Sequence, residues 1–239
     1  MLVAVPAEVY AKRCGAPSDS ASSRVLEPLL AFFRPIGAAC VASGIPLVVQ
    51  DLEFNGGGLQ GEEIAALKAA LPPNVLLGIK VETAPAGPKY TQCREILGAD
   101  CFIAGGWAVQ QMVEALDRGV DAMIPEASMV LLYATIDKRY RSGDRQGAVQ
   151  LFRRLLPVLA FTNQTLAVSV AFFKRLLKAK GLIESDAMRL GGFTWDAYNA
   201  RIADELIALV LALEQEVQRE GQPEDRNAVA VAVEDAARG

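Results

Sequence analysis

The chain has 239 residues, of which 52% are hydrophobic and 22% are charged, and its formal net charge is −4. This composition is ordinary for a globular protein with a substantial core, and the dispersed basic residues predict neither a nucleic-acid-binding face nor a membrane-binding segment. No apolar run reaches the roughly 18 residues of a membrane span, and the N-terminus lacks a signal-peptide pattern. We therefore expect a cytoplasmic protein.

The chain contains no histidine. This excludes Ser-His-Asp and Cys-His catalysis as well as histidine-ligated zinc, so acid–base chemistry falls to Lys, Glu, Asp, Tyr, Cys or a substrate group. Cys14, Cys40, Cys93 and Cys101 lack metal-site spacing, and we expect them to be reduced packing residues. Neither a metal nor an organic cofactor is implied.

The first half of the chain alternates apolar runs typical of buried strands with stretches of helical periodicity. The predicted strands are Met1–Pro6, Pro46–Asp51, Val75–Glu82, Cys101–Ala104 and Asp121–Ile124. The predicted helices are Val25–Ser43, Glu62–Leu71, Lys89–Leu97 and Trp107–Asp117. No hairpin signal interrupts this alternation. The pattern therefore predicts an α/β fold with a parallel sheet, either a (β/α) barrel or a doubly wound sheet.

Turn residues mark the ends of several of these elements. Ser22 or Ser23, at the end of a Ser/Pro/Gly-rich loop, can cap the helix that Gly44 ends. The glycine run Asn55–Gly58 lacks the spacing of a phosphate-binding loop and predicts a flexible connection.

Beyond Pro125 the sequence predicts helices only. Their ranges are Ala127–Tyr140, Asp144–Leu159, Asn163–Ala179 and Trp195–Arg219. We therefore divide the chain into an α/β part over residues 1–126, a C-terminal helical layer over 127–220 and a weakly ordered tail over 221–239. Within the tail, residues 228–237 fit either a short helix or a strand.

The strand Val75–Glu82 carries a lysine in an otherwise apolar run. Strict strand alternation places Gly78, Lys80 and Glu82 on one face together with Leu76. Gly78 predicts open space beside the lysine. The opposite face is predicted to carry Val75, Leu77, Ile79 and Val81.

Lys80 has two interpretations. Burial lowers the pKa of a lysine toward the range where a neutral amine can attack a carbonyl, which favours a Schiff-base lysine. Alternatively, Lys80 reaches solvent from the strand end or pairs with Glu82. The strand by itself leaves both interpretations open.

Several segments together resemble the dihydrodipicolinate synthase / N-acetylneuraminate lyase family. They are Pro46–Asp51, Gly78–Lys80, Phe102–Gly106 and Leu116–Pro125, followed by Gly143-Asp144 in a helical tail. The family comprises class I aldolases and related lyases on a TIM barrel with C-terminal helices. The resemblance extends from Met1 to about Leu213, and it implies that Lys80 is the Schiff-base lysine on the sixth barrel strand.

The chain also departs from that family. Met1–Pro6 corresponds to the fourth barrel strand, so the resemblance implies a partial (β/α)8 TIM barrel with about five parallel strands, without the first three βα units. Gln50 stands where dihydrodipicolinate synthase has a proton-relay tyrosine, and the expected arginine falls near Asn55. We therefore do not expect dihydrodipicolinate synthesis. Gln50-Asp51, Lys80–Glu82 and Pro85–Lys89 are more similar to a branch of the family near sugar-acid dehydratases and aldolases.

The residues expected to contact substrate are Gln50, Glu82, Gly105 and Gly106. Gln50 can hydrogen-bond a substrate hydroxyl or carboxylate, or it is a plain buried amide. Glu82 is a general base for the C3 proton of the substrate or a salt-bridge partner. Gly105 and Gly106 precede the helix predicted from Trp107, where free amides offer an anion site, although a tight βα turn explains them equally well.

The resemblance implies a cofactor-free lyase, an aldolase or dehydratase acting on a 2-oxo acid or 2-keto-3-deoxy sugar acid. One alternative is a truncated, catalytically inactive family member that persists as an oligomeric or interaction protein. Another is that a longer enzyme begins upstream of this sequence. Strand edges at Met1–Pro6 and Ala122–Ile124 invite pairing with a second chain, so we expect a homo-oligomer or poor solubility, with no nucleic-acid or membrane partner.

Overall fold

The computed structural model describes residues 1–14, 26–52, 58–106, 109–189, 191 and 193–220. The predicted cap at Ser22 or Ser23, most of the glycine run and the tail from residue 221 lie outside these ranges. The chain divides into two compact units, one spanning Met1–Pro125 and one beginning at Glu126.

In its described residues, the first unit contains a five-stranded parallel sheet in the order β1-β2-β3-β4-β5. Its strands are β1 (Leu2–Ala4), β2 (Leu47–Leu52), β3 (Leu76–Glu82), β4 (Phe102–Gly105) and β5 (Ala122–Met123). Its helices are α1 (Ala7–Cys14), α2 (Glu27–Ser43), α3 (Gly61–Ala70), α4 (Ala86–Leu97) and α5 (Met112–Asp117). The predicted parallel alternation is confirmed. β1 and β5 are the edge strands of this sheet in the described residues. Association with a second chain through them stays a prediction.

Two helices differ from the sequence prediction. Helix α1 was not predicted because it makes only two turns; it begins after Pro6, whose carbonyl accepts from the amides of Val9 and Tyr10 at 3.0 and 3.2 Å. Helix α5 begins at Met112 rather than Trp107, since Val109 adopts a left-handed backbone with φ of 54° that interrupts a right-handed helix.

The main core of this unit contains buried side chains from both the sheet and its helices. The strands contribute Val49, Ile79, Val81 and Ile103, all nearly inaccessible to solvent. Helical partners in the same cluster include Phe33, Leu67, Tyr90 and Cys93. Each fully buried side chain of this size contributes about 1.5–3 kcal/mol, so this face of the sheet is strongly specified. Consequently the residues that alternate with these strand positions project to the opposite face of the sheet.

A β-bulge in β3 changes the predicted faces of two residues. Leu47 pairs with Leu76 while Val48 pairs with Gly78, so that Leu77 is the extra residue. Leu76 lines a small apolar cavity together with core residue Ile79, whereas Leu77 is 45% exposed. The predicted faces of Leu76 and Leu77 are therefore wrong, because alternation restarts after the bulge.

Gly78 sits directly against strand β4. A Cβ atom at Gly78 would lie 1.9 Å from the Phe102 carbonyl oxygen and 2.6 Å from its carbon. Backbone atoms cannot move away as a flexible side chain can. The open space predicted beside Lys80 is therefore wrong at this position, and the glycine instead permits close packing of two strands.

We expect Gly78→Ala to lower the free energy of unfolding by about 2 kcal/mol or more, because the added methyl overlaps the β4 backbone. The measurement is urea denaturation followed by circular dichroism. Gly191→Ala is the matched control, since a Cβ there meets nothing within 4 Å. Equal stability of the two variants would show that β3 and β4 are not this close.

The described part of the second unit is helical. It contains α6 (Val130–Arg141), α7 (Arg145–Thr162), α8 (Leu166–Ala179) and α9 (Ala197–Glu220), which confirms the four predicted helices. Ion pairs tie α9 to its neighbours: Arg175 Nε lies 2.8 Å from Asp204 Oδ1, and Lys180 Nζ lies 2.6 Å from Glu214 Oε1. Among the described helices of the chain, none is long and apolar enough to cross a membrane.

Candidate active site

Lys80 lies in the middle of the sheet, on the face opposite the main core. It pairs in register with Gln50 of β2 and Ala104 of β4, and Ala104 in turn pairs with Ala122. Only 8% of Lys80 is exposed. The small side chain of Ala104 leaves room for the long lysine chain beside it.

Glu82 holds the Lys80 ammonium. Strand alternation brings the two side chains to one face, and Lys80 Nζ lies 2.9 Å from Glu82 Oε1. Both side chains are largely buried, with 10% and 15% exposure. Gln50 Nε2 donates a hydrogen bond to the other carboxylate oxygen, Glu82 Oε2. Three side chains from two strands therefore form one polar cluster.

This cluster tests one of the alternatives for Lys80, and the Schiff-base role stays a prediction. The lysine does not extend into solvent, so that alternative is wrong, and it does pair with Glu82. Gln50 contacts the same carboxylate, and both of its interpretations, a substrate contact and a plain buried amide, stay open. A buried charge whose partner is removed costs about 3–5 kcal/mol, so each member constrains the position of the others.

Gly106 makes room for the Glu82 side chain. A Cβ atom at Gly106 would lie 2.1 Å from Glu82 Cγ and 2.4 Å from Glu82 Oε1. The Gly106 amide donates to the Val81 carbonyl at 3.0 Å, and α5 does not begin until Met112. The predicted free amide of Gly106 at a helix N-terminus is therefore wrong.

Gly105 is tightly packed on the same strand end. A Cβ atom there would lie 2.6 Å from Met123 Sδ and 2.7 Å from the Tyr90 hydroxyl oxygen. Burial, followed by the nearby carboxylates of Glu114 and Glu82, raises the pKa of Tyr90 to about 12. Tyr90 consequently stays protonated at neutral pH and can act as a hydrogen-bond donor. Sequence reasoning missed it because it lies within the apolar face of α4.

A second ion pair lies on the helix-covered side of the sheet. Asp51 is fully buried, its Oδ2 lies 3.3 Å from Lys89 Nζ, and its Oδ1 accepts from the Leu59 amide at 2.6 Å. Burial raises the pKa of Asp51, and the Lys89 charge opposes that rise. Sequence reasoning did not pair these residues, although a carboxylate inside an apolar strand is a signal that a cation lies nearby.

We expect Lys89→Met to destabilise the fold more at pH 8 than at pH 5. Without Lys89, the pKa of Asp51 in the folded chain rises further above its unfolded value near 3.8. The folded chain then binds a proton that the unfolded chain lacks, so stability falls as pH rises through that window. Above that pH window, the free energy of unfolding is lowered by about 3–5 kcal/mol, which is the cost of an unpaired buried carboxylate.

Urea denaturation at the two pH values checks this expectation, with Lys138→Met as the control because Lys138 is an exposed residue of α6. A loss that is the same at both pH values would show that Asp51 is not the group responsible.

No group of three or more metal-ligating Cys, Asp or Glu side chains lies together in the described part of the chain. Cys40, Cys93 and Cys101 are buried free thiols. The polar side chains that contact one another near the carboxyl end of β3 are an amine, a carboxylate and an amide.

Five parallel strands in sequential order, with a helix after each of the first four, form part of a (β/α)8 barrel. No protein-family model and no curated protein matches this sequence. Solved structures do match it. The chain is 22% identical to the dihydrodipicolinate synthase of Rhodopseudomonas palustris, with a TM-score of 0.71 over 87% of this chain and 65% of that chain.

Two further structures agree with this match. The sialic acid aldolase of Ruminococcus gnavus is 19% identical, with a TM-score of 0.68 over 80% of this chain and 62% of that one. The N-acetylneuraminate lyase of Proteus mirabilis is 18% identical, with a TM-score of 0.62 over 79% and 61%. The chain thus has the fold of these TIM-barrel proteins and spans less than two thirds of their length. The predicted resemblance is confirmed at the level of the fold.

Proposed function

We propose that the chain belongs to the dihydrodipicolinate synthase / N-acetylneuraminate lyase family and is a Schiff-base lyase, with Lys80 as the nucleophile. The substrate is a 2-oxo acid or a 2-keto-3-deoxy sugar acid. The observation that carries this proposal is the buried Lys80 amine 2.9 Å from the Glu82 carboxylate, near the carboxyl end of a barrel strand. Active sites of TIM barrels lie at that end of the strands.

The comparisons support a lysine in this role. One matching structure is a catalytic-lysine mutant of the Ruminococcus gnavus sialic acid aldolase, at 18% identity and a TM-score of 0.68. In this chain the apolar strand β3 holds a buried lysine that faces away from the main core. A fold shared with lysine-dependent aldolases and a sequestered amine together favour imine chemistry.

The reaction begins when Glu82 accepts a proton from the Lys80 ammonium. The neutral amine attacks the keto carbon, and Glu82 returns its proton to the departing hydroxyl. Loss of water then gives an iminium that withdraws electrons from the adjacent carbon, and Glu82 is again a carboxylate. A proton leaves that carbon, forming an enamine. The enamine then expels a β-hydroxyl as water, using the proton that was taken from C3, or its nucleophilic carbon adds to an aldehyde and forms a carbon–carbon bond. Hydrolysis of the final iminium returns Lys80.

The neighbouring residues bind and position the reactants. Glu82 lies within reach of the nitrogen and is the base for the C3 proton. Gln50 orients Glu82 and can turn to a substrate hydroxyl, but it cannot relay a proton as tyrosine does. Gly106 leaves space in which Glu82 can approach the substrate, and Gly105 leaves space for the Tyr90 hydroxyl at the neighbouring strand end.

The second candidate is a catalytically inactive relative. It is favoured by the direct contact between Lys80 Nζ and Glu82 Oε1 at 2.9 Å, since a buried ion pair can also serve only to hold two side chains in place. In that case the Lys80–Glu82 pair is a structural ion pair, and a partner or a second copy covers the sheet. Trapping of the imine separates the two candidates.

We expect incubation with pyruvate and borohydride to attach one pyruvate-derived group to Lys80, because reduction converts the iminium into a stable secondary amine. Peptide mass spectrometry locates the group. Lys80→Met should abolish the adduct, whereas Lys138→Met, which removes an exposed lysine, should leave it unchanged. A 2-keto-3-deoxy sugar acid is tested in parallel.

Glu82→Gln provides a second comparison, since the amide keeps the size of the side chain but cannot accept the proton from Lys80. We expect its adduct to form at least about a hundredfold more slowly, which is the lower end of the usual range for general-base catalysis. Equal labelling of Lys80 and the exposed lysines would contradict the proposed nucleophile. A complete absence of adduct would favour the inactive relative.

A further inference from the structure

A cavity of about 320 Å³ lies beside the loops that follow β2 and β3. It is lined by Gly58–Gln60, Thr83–Pro85 and three residues of α4, Pro88, Lys89 and Gln92. Its volume falls at the lower end of the range for small-molecule sites. Apolar loop residues and a few polar side chains share its wall, as in such sites.

The cavity is separate from the Lys80 cluster. Strand alternation places Asp51, the partner of Lys89, on the face opposite Gln50, and it places Thr83 opposite Glu82. Thr83 lines the cavity and is 8% exposed. A molecule in this cavity therefore lies on the helix-covered side of the sheet rather than beside Lys80.

Lys89 provides the charged group in the cavity wall. Its side chain is 12% exposed, and its ammonium contacts the Asp51 carboxylate at 3.3 Å and the Leu59 carbonyl. An ammonium carries three N–H donors, so these two acceptors, both in the described residues, leave it able to donate to a ligand. The two contacts also hold the ammonium in place.

The first turn of α4 is a second feature of the cavity wall, besides Lys89, that favours binding of an anion. The helix has 12 residues, and Pro85, at its N-cap, provides no side-chain hydrogen bond to the first amides. Pro85 and Pro88 from this turn both line the cavity. The positive end of a helix dipole therefore lies at the wall that also carries Lys89.

The charge balance limits the kind of anion. Asp51 already offsets the Lys89 charge, so the wall provides partial charges rather than a full unit of excess positive charge. Phosphate, which at neutral pH is a mixture of singly and doubly charged ions, fits this balance less well than a singly charged carboxylate. Thr83 and Gln92 add a hydroxyl and an amide that suit a hydroxyl group on the same ligand.

We propose that this cavity is a binding site for a small hydroxy-carboxylate, with Lys89 contacting the carboxylate. The proposal does not depend on the lyase activity. Lactate is the probe, since it lacks a keto group and cannot form an imine with Lys80. The measurement is a lactate titration of the ¹⁵N-labelled full chain followed by amide NMR.

We expect saturable shifts at the amides of Thr83, Lys89 and Gln92. The Asp51→Asn/Lys89→Met double variant removes both charges without leaving either one unpaired, and it should weaken lactate binding at least about tenfold. Gln92→Trp fills the mouth of the cavity from an exposed helix position, leaves the ion pair intact and should weaken binding equally.

Lys80→Met and Lys138→Met are the controls, and both should bind lactate as the wild type does. Circular dichroism checks that each variant is folded. Three results would overturn the proposal: no saturable shift at tens of millimolar lactate, unchanged affinity in both cavity variants, or tighter binding of phosphate than of lactate. Loss of binding in Lys80→Met would assign lactate to the other site.

Discussion

A buried ammonium needs a partner, and in this chain Glu82 provides it for Lys80. The partner is available because two residues along a strand return to the same face. Gln50 from the neighbouring strand holds the second carboxylate oxygen, and the absence of a side chain at Gly106 gives the carboxylate its place. The position of the amine thus depends on one ion pair and on residues at the carboxyl ends of β2, β3 and β4.

The packing of β3 against its neighbours determines where that pair lies. The bulge at Leu77 shifts the alternation, so that Leu76 packs with the core while Lys80 faces the other way. Gly78 lets β4 approach and brings Ala104 alongside Lys80. An amine in a sheet would otherwise either clash with a bulkier neighbour or turn into solvent. The chemistry proposed for Lys80 therefore rests on the backbone of β3 and β4.

Local patterns in the sequence predicted the parallel alternation, the helical second unit and the shared face of Lys80 and Glu82. Features that depend on two distant segments were not predictable in the same way. The bulge requires knowledge of the pairing partner of β3, and the role of Gly78 depends on the β4 backbone. The Asp51–Lys89 pair and its cavity likewise join β2 to α4, which sequence periodicity does not connect.

The most direct test is a double-mutant cycle on Lys80 and Glu82, using Lys80→Met, Glu82→Gln and the double variant, with unfolding free energies from urea denaturation. If the carboxylate holds the amine in a largely buried pair, the losses of unfolding free energy in the two single variants will add to more than the loss in the double variant. We expect this difference, the coupling energy, to be about 1–3 kcal/mol. Losses that add to within about 0.5 kcal/mol would mean that the two groups do not interact. Lys80 would then lack the partner on which its buried position depends.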